Sequence, residues 1–258
     1  MHQCILPSLF NDEQKVRLDA CIKTRKSVRK YLSSPDEVQK TTLLYEAKRL
    51  SKMGVRIELC ENQEKQLYRG VPFVGKITGS DTYVALIADT KEPFSTVYAG
   101  ALGEAFVLEA VSLGLGTCWV QGTYHKQAVK IPLEKNEKLL AIIAVGVPLN
   151  GINKLRVRKS LESFCVNPFK DWMPWAKKVA RNIRRAPSAL NRQPWKMGSS
   201  GHTFQLYRAK FAGSLDMGIA LFHLFLEVKQ NAYMLYLQEG KVFATLYIKE
   251  QTCRYLKP

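Results

Sequence analysis

The chain has 258 residues, of which 46% are hydrophobic and 24% charged, and its formal net charge at pH 7 is +17. This composition is that of an ordinary folded protein, long enough for one large domain or two small ones with a real core. The longest apolar run, LLAIIAVGVPL at 139–149, falls short of the ~20 residues that span a bilayer, and a glycine and a proline interrupt it. No membrane segment is therefore predicted. The N-terminal segment does not resemble a secretory signal, so a cytoplasmic location is expected.

Cysteine and histidine spacing bears on metal binding and on disulfides. The six cysteines are scattered singly without a C-x-x-C pair, and the four histidines are equally dispersed. Neither a zinc site nor a disulfide framework is supported by such spacing. We expect no metal site and reduced, mostly buried thiols.

The positive charge is concentrated in one stretch of the sequence. Between Lys154 and Arg192 there are eleven basic residues and two acidic ones. Such a block can bind nucleic acid, an acidic membrane or an anionic small molecule, although a solvated helix face is the simpler interpretation.

Helices and strands are predicted from capping residues and hydrophobic periodicity. A first helix starts after Asn11 and Asp12 and runs to about residue 24. Ser34 as N-cap, Pro35 as first helical residue and Glu37 as the third predict a second helix to about residue 52. Segments 55–60 and 82–88 have strand character, and 99–113 is a mostly apolar helix ending at a glycine.

The later segments continue this mixture of helices and strands. Extended segments are predicted at 117–122 and 138–149, followed by a polar connector and a helix that begins near 171 and stops before 186. A strand pair with a Gly-Ser turn, an apolar helix and a hairpin turning at 239–240 complete the chain. The predicted class is α+β, with helices packed on antiparallel-rich sheets.

Three short segments carry candidate chemistry. RKSVR at 25–29 offers three cations and a hydroxyl, which suits a phosphate, although a charged inter-helix turn is the alternative. LGLGTCW at 113–119 lets backbone N–H groups approach a flat ligand, but it also fits a helix stop entering a buried strand. APSALNRQPW at 186–195 presents amide and hydroxyl groups beside a tryptophan, or it is a helix end and loop packed by that tryptophan.

Other catalytic motifs are missing from the sequence. It contains no nucleophile elbow, no P-loop and no G-x-G-x-x-G fingerprint opening a helix after a strand. Any reaction would therefore depend on the chemistry of a cofactor.

Together the three segments resemble motifs of the nitroreductase family of FMN-dependent oxidoreductases. That resemblance implies that the basic segment and an arginine after the strand AVGVP at 144–148 bind the FMN phosphate. It also implies that GLGTCW lies beside the isoalloxazine. The proline, serine and asparagine of the third segment would touch the flavin as well. Of the basic residues, Arg29 and then Lys26 are the first candidates to stabilise the reduced flavin. The implied cofactor-binding residues are Arg25, Lys26, Ser27, Arg29, Gly116, Thr117, Cys118, Trp119, Arg156, Arg158, Pro187, Ser188, Asn191 and Gln193.

The order of the motifs differs from that of common family members. There the P-S-x-x-N-x-Q-P-W loop follows soon after the basic motif and serves the partner subunit of an intertwined homodimer, whereas here it follows the last strand of the first half. The chain is similar to the single-chain branch named "putative TM nitroreductase". The resemblance implies two intertwined half-repeats in one chain, residues 1–150 and 151–258, the second with a degenerate site. We therefore expect a monomer acting as an internal pseudo-dimer with one flavin site.

The implied activity is a two-step NAD(P)H oxidoreductase. NAD(P)H would deliver hydride to flavin N5 and leave, and a small-molecule electron acceptor such as a nitroaromatic or quinone would take its place. Two alternatives stay open: a flavin-binding protein without significant turnover, and a nucleic-acid-binding module built on the basic block, which ranks last. The latter would need exposed aromatic side chains among the cations, for which Trp172 and Trp175 are the nearby candidates.

Overall fold

The computed structural model describes residues 1–61, 67–70, 75–149, 157–228 and 233–249. In chain order the strands are β1 (His2–Gln3), β2 (Tyr31–Ser33), β3 (Val55–Glu61), β4 (Thr82–Asp89), β5 (Gly116–Val120), β6 (Glu137–Pro148), β7 (Trp195–Ser200), β8 (Thr203–Arg208), β9 (Tyr233–Leu237) and β10 (Val242–Ile248). The α-helices are α1 (Leu6–Leu9), α2 (Asp12–Ile22), α3 (Glu37–Leu50), α4 (Ser95–Ser112), α5 (Pro174–Arg185) and α6 (Ser214–Leu226).

Internal contacts divide the chain into two compact units. The terminal unit comprises Met1–Lys23 and Val157–Pro258, and the central unit comprises Thr24–Arg156. The sequence prediction divided the chain once, between residues 150 and 151. The first 23 residues belong with the C-terminal segment because β1 pairs antiparallel with β9 and α2 packs on α6.

The central unit is built on an antiparallel sheet in which β4 and β6 are the middle strands. β3 pairs with β4, β4 with β6, and both β2 and β5 pair with β6. β4 is an almost continuous apolar run, and its residues from Val84 to Ala88 are completely buried. Such a run is typical of a strand covered on both faces. On one face lies α4, which is also apolar around most of its circumference.

The terminal unit contains the other five-stranded sheet, with the antiparallel order β1-β9-β10-β8-β7. Its core includes α6, which is buried from Met217 to Leu226 and is contacted by α1, α2 and α5. The predicted strand pair, apolar helix and hairpin are confirmed here. The α+β class with antiparallel sheets is confirmed for the described part of the chain.

The start of α3 differs from the sequence prediction. Its N-cap is Asp36, whose carboxylate accepts from the Gln39 N–H at 2.8 Å while the Gln39 side chain accepts from the Asp36 N–H at 3.0 Å. Ser34, the predicted cap, instead accepts a hydrogen bond from the Asp81 N–H at 3.0 Å. The sequence offers a second capping box two residues further along, formed by Asp36 and Gln39. Because Ser34 bonds to the Asp81 backbone instead, the helix starts at this second box. α2 begins at Asp12 with Asn11 as its N-cap, one residue before the predicted start.

The end of α4 follows the prediction, although the helix begins at Ser95 rather than near residue 99. Gly114 has φ +79°, the left-handed conformation expected of a glycine that follows a helix. β5 begins two residues later. Within the described ranges, no helix is long and apolar enough to cross a membrane. The same residues contain no group of three or more His, Cys, Asp or Glu side chains that could hold a metal ion.

Candidate functional site

The basic segment 25–29 and the glycine-containing strand β5 lie side by side in the central unit. Ser27 and Thr117 form a parallel bridge, and the Val28 N–H donates to the Thr117 carbonyl at 2.8 Å. At Gly116 a Cβ atom would lie 2.6 Å from Val28 Cγ2, closer than real Cβ contacts allow. Glycine at this position therefore permits the contact between the two motifs. Tertiary structure brings together two segments that are far apart in the sequence.

Three side chains of the basic segment are half-buried and have polar groups without a partner among the described residues. Lys26, Ser27 and Arg29 form no side-chain hydrogen bond or ion pair with any residue in the described ranges. A half-buried cation without a counter-charge is a ready binding group for an anion, because part of its hydration has already been removed. These three side chains are therefore the part of the segment suited to a phosphate.

Arg25 differs from its neighbours because it is buried and faces a carboxylate. Its exposed fraction is 5%, and its Nε lies 3.7 Å from Oε1 of Glu104, which is completely buried in α4. Glu104 Oε2 accepts a hydrogen bond of 2.9 Å from the indole Nε1 of Trp119 in β5. Two predicted flavin contacts, Arg25 and Trp119, thus share a carboxylate that the sequence analysis missed. The available signal was the presence of two acids, Glu104 and Glu109, in a largely apolar helix.

Side chains of β5 alternate between two environments. Cys118 is buried in a hydrophobic cluster together with Tyr31 and Tyr68, whereas Trp119 is directed to Glu104 on α4. Burial raises the pKa of the Tyr31 hydroxyl well above its usual range, so this group stays protonated and donates to the Val28 carbonyl at 2.8 Å. The cluster therefore packs against the segment that contains Ser27 and Arg29 and helps to fix its backbone.

In the terminal unit, the predicted residues form a hydrogen-bonded loop. The Asn191 side chain accepts a short hydrogen bond from Arg158 and donates to the Val157 carbonyl at 2.9 Å. Arg158 also donates to the Arg185 carbonyl at 2.9 Å. The amide that the sequence prediction assigned to flavin contact therefore holds segment 157–158 against the end of α5.

Gln193 and Ser188 complete the same loop. The Gln193 N–H donates to Ser188 Oγ at 2.8 Å, and the Gln193 side chain accepts from the Lys159 N–H at 3.2 Å. Leu190, Asn191 and Gln193 have φ of +52°, +57° and +50°, which is sparsely populated by residues other than glycine. Strained backbone persists only where surrounding contacts over-determine it, so this loop is rigidly held.

The remaining predicted residues of this unit are placed as follows. Pro187 is buried, and Arg156 lies outside the described residues. Trp172 and Trp175 have exposed fractions of 3% and 7% and pack against Phe204. The nucleic-acid hypothesis required these two indole rings on an exposed face, and both are in the core.

The predicted residues therefore form two groups, each within its own unit. The central group consists of the basic segment and β5, and the terminal group consists of the loop 187–193 with Arg158. In the central group Lys26, Ser27 and Arg29 have no side-chain partner in the described ranges, whereas in the terminal group most polar side chains are committed to one another.

Comparison with solved structures shows the fold. A putative nitroreductase from Thermotoga maritima msb8 is 24% identical with a TM-score of 0.59, covering 90% of this chain and 93% of that one. A putative nitroreductase in complex with FMN from Desulfovibrio desulfuricans is 18% identical with a TM-score of 0.46, covering 59% and 97%. An FMN-dependent nitroreductase from Clostridium difficile R20291 is 23% identical with a TM-score of 0.40, covering 50% and 86%.

The first of these likenesses confirms the predicted nitroreductase-like fold. A search of curated proteins found no significant match. The sequence model of the family described as "Putative TM nitroreductase" matches residues 18–228. Because that match covers most of the chain, the predicted resemblance is confirmed, and the protein belongs to the putative TM nitroreductase family, a family of oxidoreductases.

Proposed function

We propose that this protein is an FMN-dependent NAD(P)H oxidoreductase that passes electrons to a small-molecule acceptor such as a nitroaromatic or quinone. The observation that carries the proposal is that Lys26, Ser27 and Arg29 have no side-chain partner in the described part of the chain and lie beside a strand whose glycine brings the two motifs into contact. Two solved nitroreductases with FMN in their descriptions agree with this choice of cofactor.

The central group fits FMN on chemical grounds. A phosphate needs cationic and neutral donors, and Lys26, Arg29 and the Ser27 hydroxyl supply both kinds with no carboxylate partner among the described residues. Arg25 is instead buried beside the Glu104 carboxylate, 3.7 Å from its Nε, although that Nε has no hydrogen-bond acceptor among the described residues. We therefore assign the phosphate to Lys26, Ser27 and Arg29, and we assign Arg25 to fixing the segment against α4.

We propose a different role for the terminal group, the loop 187–193 with Arg158. Both ends of the Asn191 amide are engaged within the loop, which supports a role in fixing Arg158 and the loop backbone. Ser188 Oγ accepts from the Gln193 N–H, and its own proton has no recorded acceptor in the described ranges. We propose Ser188 as the flavin contact of this group. Direct contact by Pro187, Asn191, Gln193 and Arg158 stays a prediction.

When bound, FMN would accept hydride from the nicotinamide donor and deliver electrons to the acceptor. The chain's own contribution is binding and electrostatics. The cations of Arg29 and Lys26 would stabilise negative charge on the cofactor, and the buried cluster beneath β5 would exclude water from one side of the strand. We propose that solvent supplies the protons. We also propose that the chain acts as a monomeric internal pseudo-dimer with one flavin site, in the cytoplasm.

The test is the visible absorption spectrum of the purified protein after incubation with FMN and desalting. We expect retained flavin bands that bleach anaerobically with NADH or NADPH and return when a nitroaromatic or quinone is added. Retained flavin that neither donor reduces would support the flavin-binding protein without turnover. A protein that retains no flavin would contradict the proposal.

A matched pair of variants tests the assignment of the phosphate. Arg29→Gln should weaken FMN binding by about tenfold or more, because a charge-assisted hydrogen bond contributes about 1.5–3 kcal/mol. Lys30→Gln removes the same charge from the exposed neighbouring residue and should leave FMN affinity unchanged. Equal effects of the two substitutions would mean that only the general positive potential attracts the cofactor.

A further inference from the structure

The terminal unit contains a cavity that the proposed function does not use. It is formed by four short segments of this unit and has a volume of about 960 Å³, at the upper end of the range of small-molecule sites. Of the residues assigned to flavin, Gln193 alone lines it. The lining residues are Lys159, Ser163, Phe164, Arg192, Gln193, Pro194, Trp195, Lys196, Ala209, Lys210 and Phe211.

The charges around this cavity are all positive. Lys159, Arg192, Lys196 and Lys210 line it, and none of the lining residues in the described chain is acidic. The ammonium groups of Lys159 and Lys196 donate to the carbonyls of Arg192 and Ser163, so backbone contacts hold them at the wall. Because every charge that lines this cavity is positive, its electrostatic potential favours an anion.

The apolar part of the wall is aromatic. Trp195 and Phe164 lie nearly parallel, with ring centroids 6.4 Å apart and an interplanar angle of 23°, and both are almost completely buried. The Trp195 Nε1 is itself buried without a hydrogen-bond acceptor among the described residues. These two buried rings therefore form the base of the wall, beneath its exposed side chains.

Phe211 at the edge of the cavity has an unfavourable conformation and environment. Its side chain is 78% exposed, and its φ is +65°, in the left-handed region that bulky residues avoid. Lys210 Nζ lies 5.1 Å from the centre of its ring, within cation–π range. An exposed aromatic ring held in a strained conformation beside cations is a reason to look for a ligand that contacts it.

We propose that this cavity binds a flat aromatic or heterocyclic anion at a site distinct from the one assigned to the flavin. The cations supply electrostatic attraction and donors for a carboxylate, sulfonate or phosphate, and the exposed ring of Phe211 supplies the surface for the planar part. The electron donor, the acceptor and flavin itself all include molecules of this class, so the experiment must separate a second site from the flavin site.

The test uses full-length protein saturated with FMN and titrated with naphthalene-2-sulfonate in a calorimeter. We expect saturable binding with one equivalent of probe, weakened by added salt because surface electrostatics are screened. The neutral analogue naphthalene-2-methanol should bind at least about fivefold more weakly, because it keeps the ring and lacks the charge. Equal binding of the two compounds would overturn the assignment of an anion site.

Paired variants locate the site. Lys196→Gln combined with Lys210→Gln should weaken probe binding by about tenfold, since each lost charge contributes up to about 1 kcal/mol at an exposed position. Lys241→Gln combined with Lys249→Gln removes two charges from exposed positions of the same unit outside the cavity and should have little effect. Phe211→Ala should weaken binding, whereas Phe211→Tyr, which keeps an aromatic ring, should retain it.

The flavin content of the same samples separates this inference from the proposed function. If probe binding requires removal of FMN, or if the cavity variants lose flavin and probe together, the cavity belongs to the flavin site and the inference is wrong. If the protein retains no FMN but still binds the probe in a manner sensitive to Lys196 and Lys210, the inference stands and the proposed function fails.

Discussion

The indole N–H of Trp119 donates to the carboxylate of Glu104 over 2.9 Å, and the other oxygen of that carboxylate lies 3.7 Å from Nε of Arg25. One buried acid on α4 therefore links the basic segment to β5. A buried charge is tolerated only when it is paired and hydrogen-bonded, and this carboxylate has a cation and a donor. Glu104 is accordingly a positioning residue for both motifs of the central unit.

Replacing Glu104 by glutamine should lower the free energy of unfolding by about 3 kcal/mol, because Arg25 would stay buried without its counter-charge. Urea denaturation measures the change. The exposed Glu134→Gln offers the same charge change as a control and should shift stability by no more than about 0.5 kcal/mol. Combining Glu104→Gln with Arg25→Met should cost less than the sum of the single variants. Additive costs would show that the two residues do not interact.

Gly116→Ala should destabilise the protein by about 1–3 kcal/mol, because the new methyl group would overlap the Val28 side chain. Adding Val28→Ala removes the overlapping atoms and should restore part of the loss. At Gly122 a Cβ meets no atom within 4 Å, so Gly122→Ala is the matched control and should be close to neutral. Thermal unfolding of these three variants and of Val28→Ala alone is the measurement, and a failure of Val28→Ala to relieve Gly116→Ala would contradict the packing explanation.

Two substitutions at Asn191 separate the contribution of its side-chain hydrogen bonds from that of its backbone conformation. Both Asn191→Ala and Asn191→Gly remove the hydrogen bonds to Arg158 and Val157, but alanine must also adopt φ near +57°. Asn191→Ala should therefore be the less stable variant by about 1 kcal/mol. Both should weaken flavin retention if the loop must be held in place. Unchanged FMN affinity in both variants would remove Asn191 from the proposed site.

The carboxyl group of Asp216 should make the stability of the protein depend on pH. Burial raises the pKa of its carboxyl, although the Ala189 N–H bond at 2.9 Å and the Arg192 charge act in the opposite direction. Below about pH 4, the ordinary pKa of an aspartic acid, the group is protonated in both folded and unfolded states. As the pH rises through the folded pKa, the unfolded chain releases the proton more readily, so the carboxyl progressively destabilises the fold.

Asp216→Asn keeps an acceptor for the Ala189 N–H and cannot ionise. The variant should therefore gain stability relative to the natural protein as the pH is raised from about 4 to about 7. Thermal unfolding at a series of pH values measures this difference. Asp216→Ala, which removes the acceptor, should be less stable than Asp216→Asn at every pH. If the stability of Asp216→Asn relative to the natural protein instead falls as the pH rises, the Arg192 and N–H contacts affect the carboxyl pKa more than burial does.

Much of the fold could be predicted because it depends on local patterns. The alternation and β-branched content of 55–60 and 82–88, the apolar face of α6 and the glycine after α4 each specify an element within a few residues. The start of α3 was predicted wrongly because Ser34 and Asp36 are both good caps. The contact between Ser34 and the backbone of Asp81 is invisible in the local sequence.

The sequence by itself determined the α+β class, the succession of elements and the two motifs that meet at Ser27 and Thr117. Tertiary structure decided which residues of those motifs are committed to the protein and which are available to a ligand. Arg25 and Arg29 have the same side chain, yet Arg25 faces Glu104 on α4 and Arg29 has no carboxylate partner in the part of the chain that the structure describes. The physical reason is that a counter-charge acts only over a few ångströms, and packing of helices on sheets sets those distances.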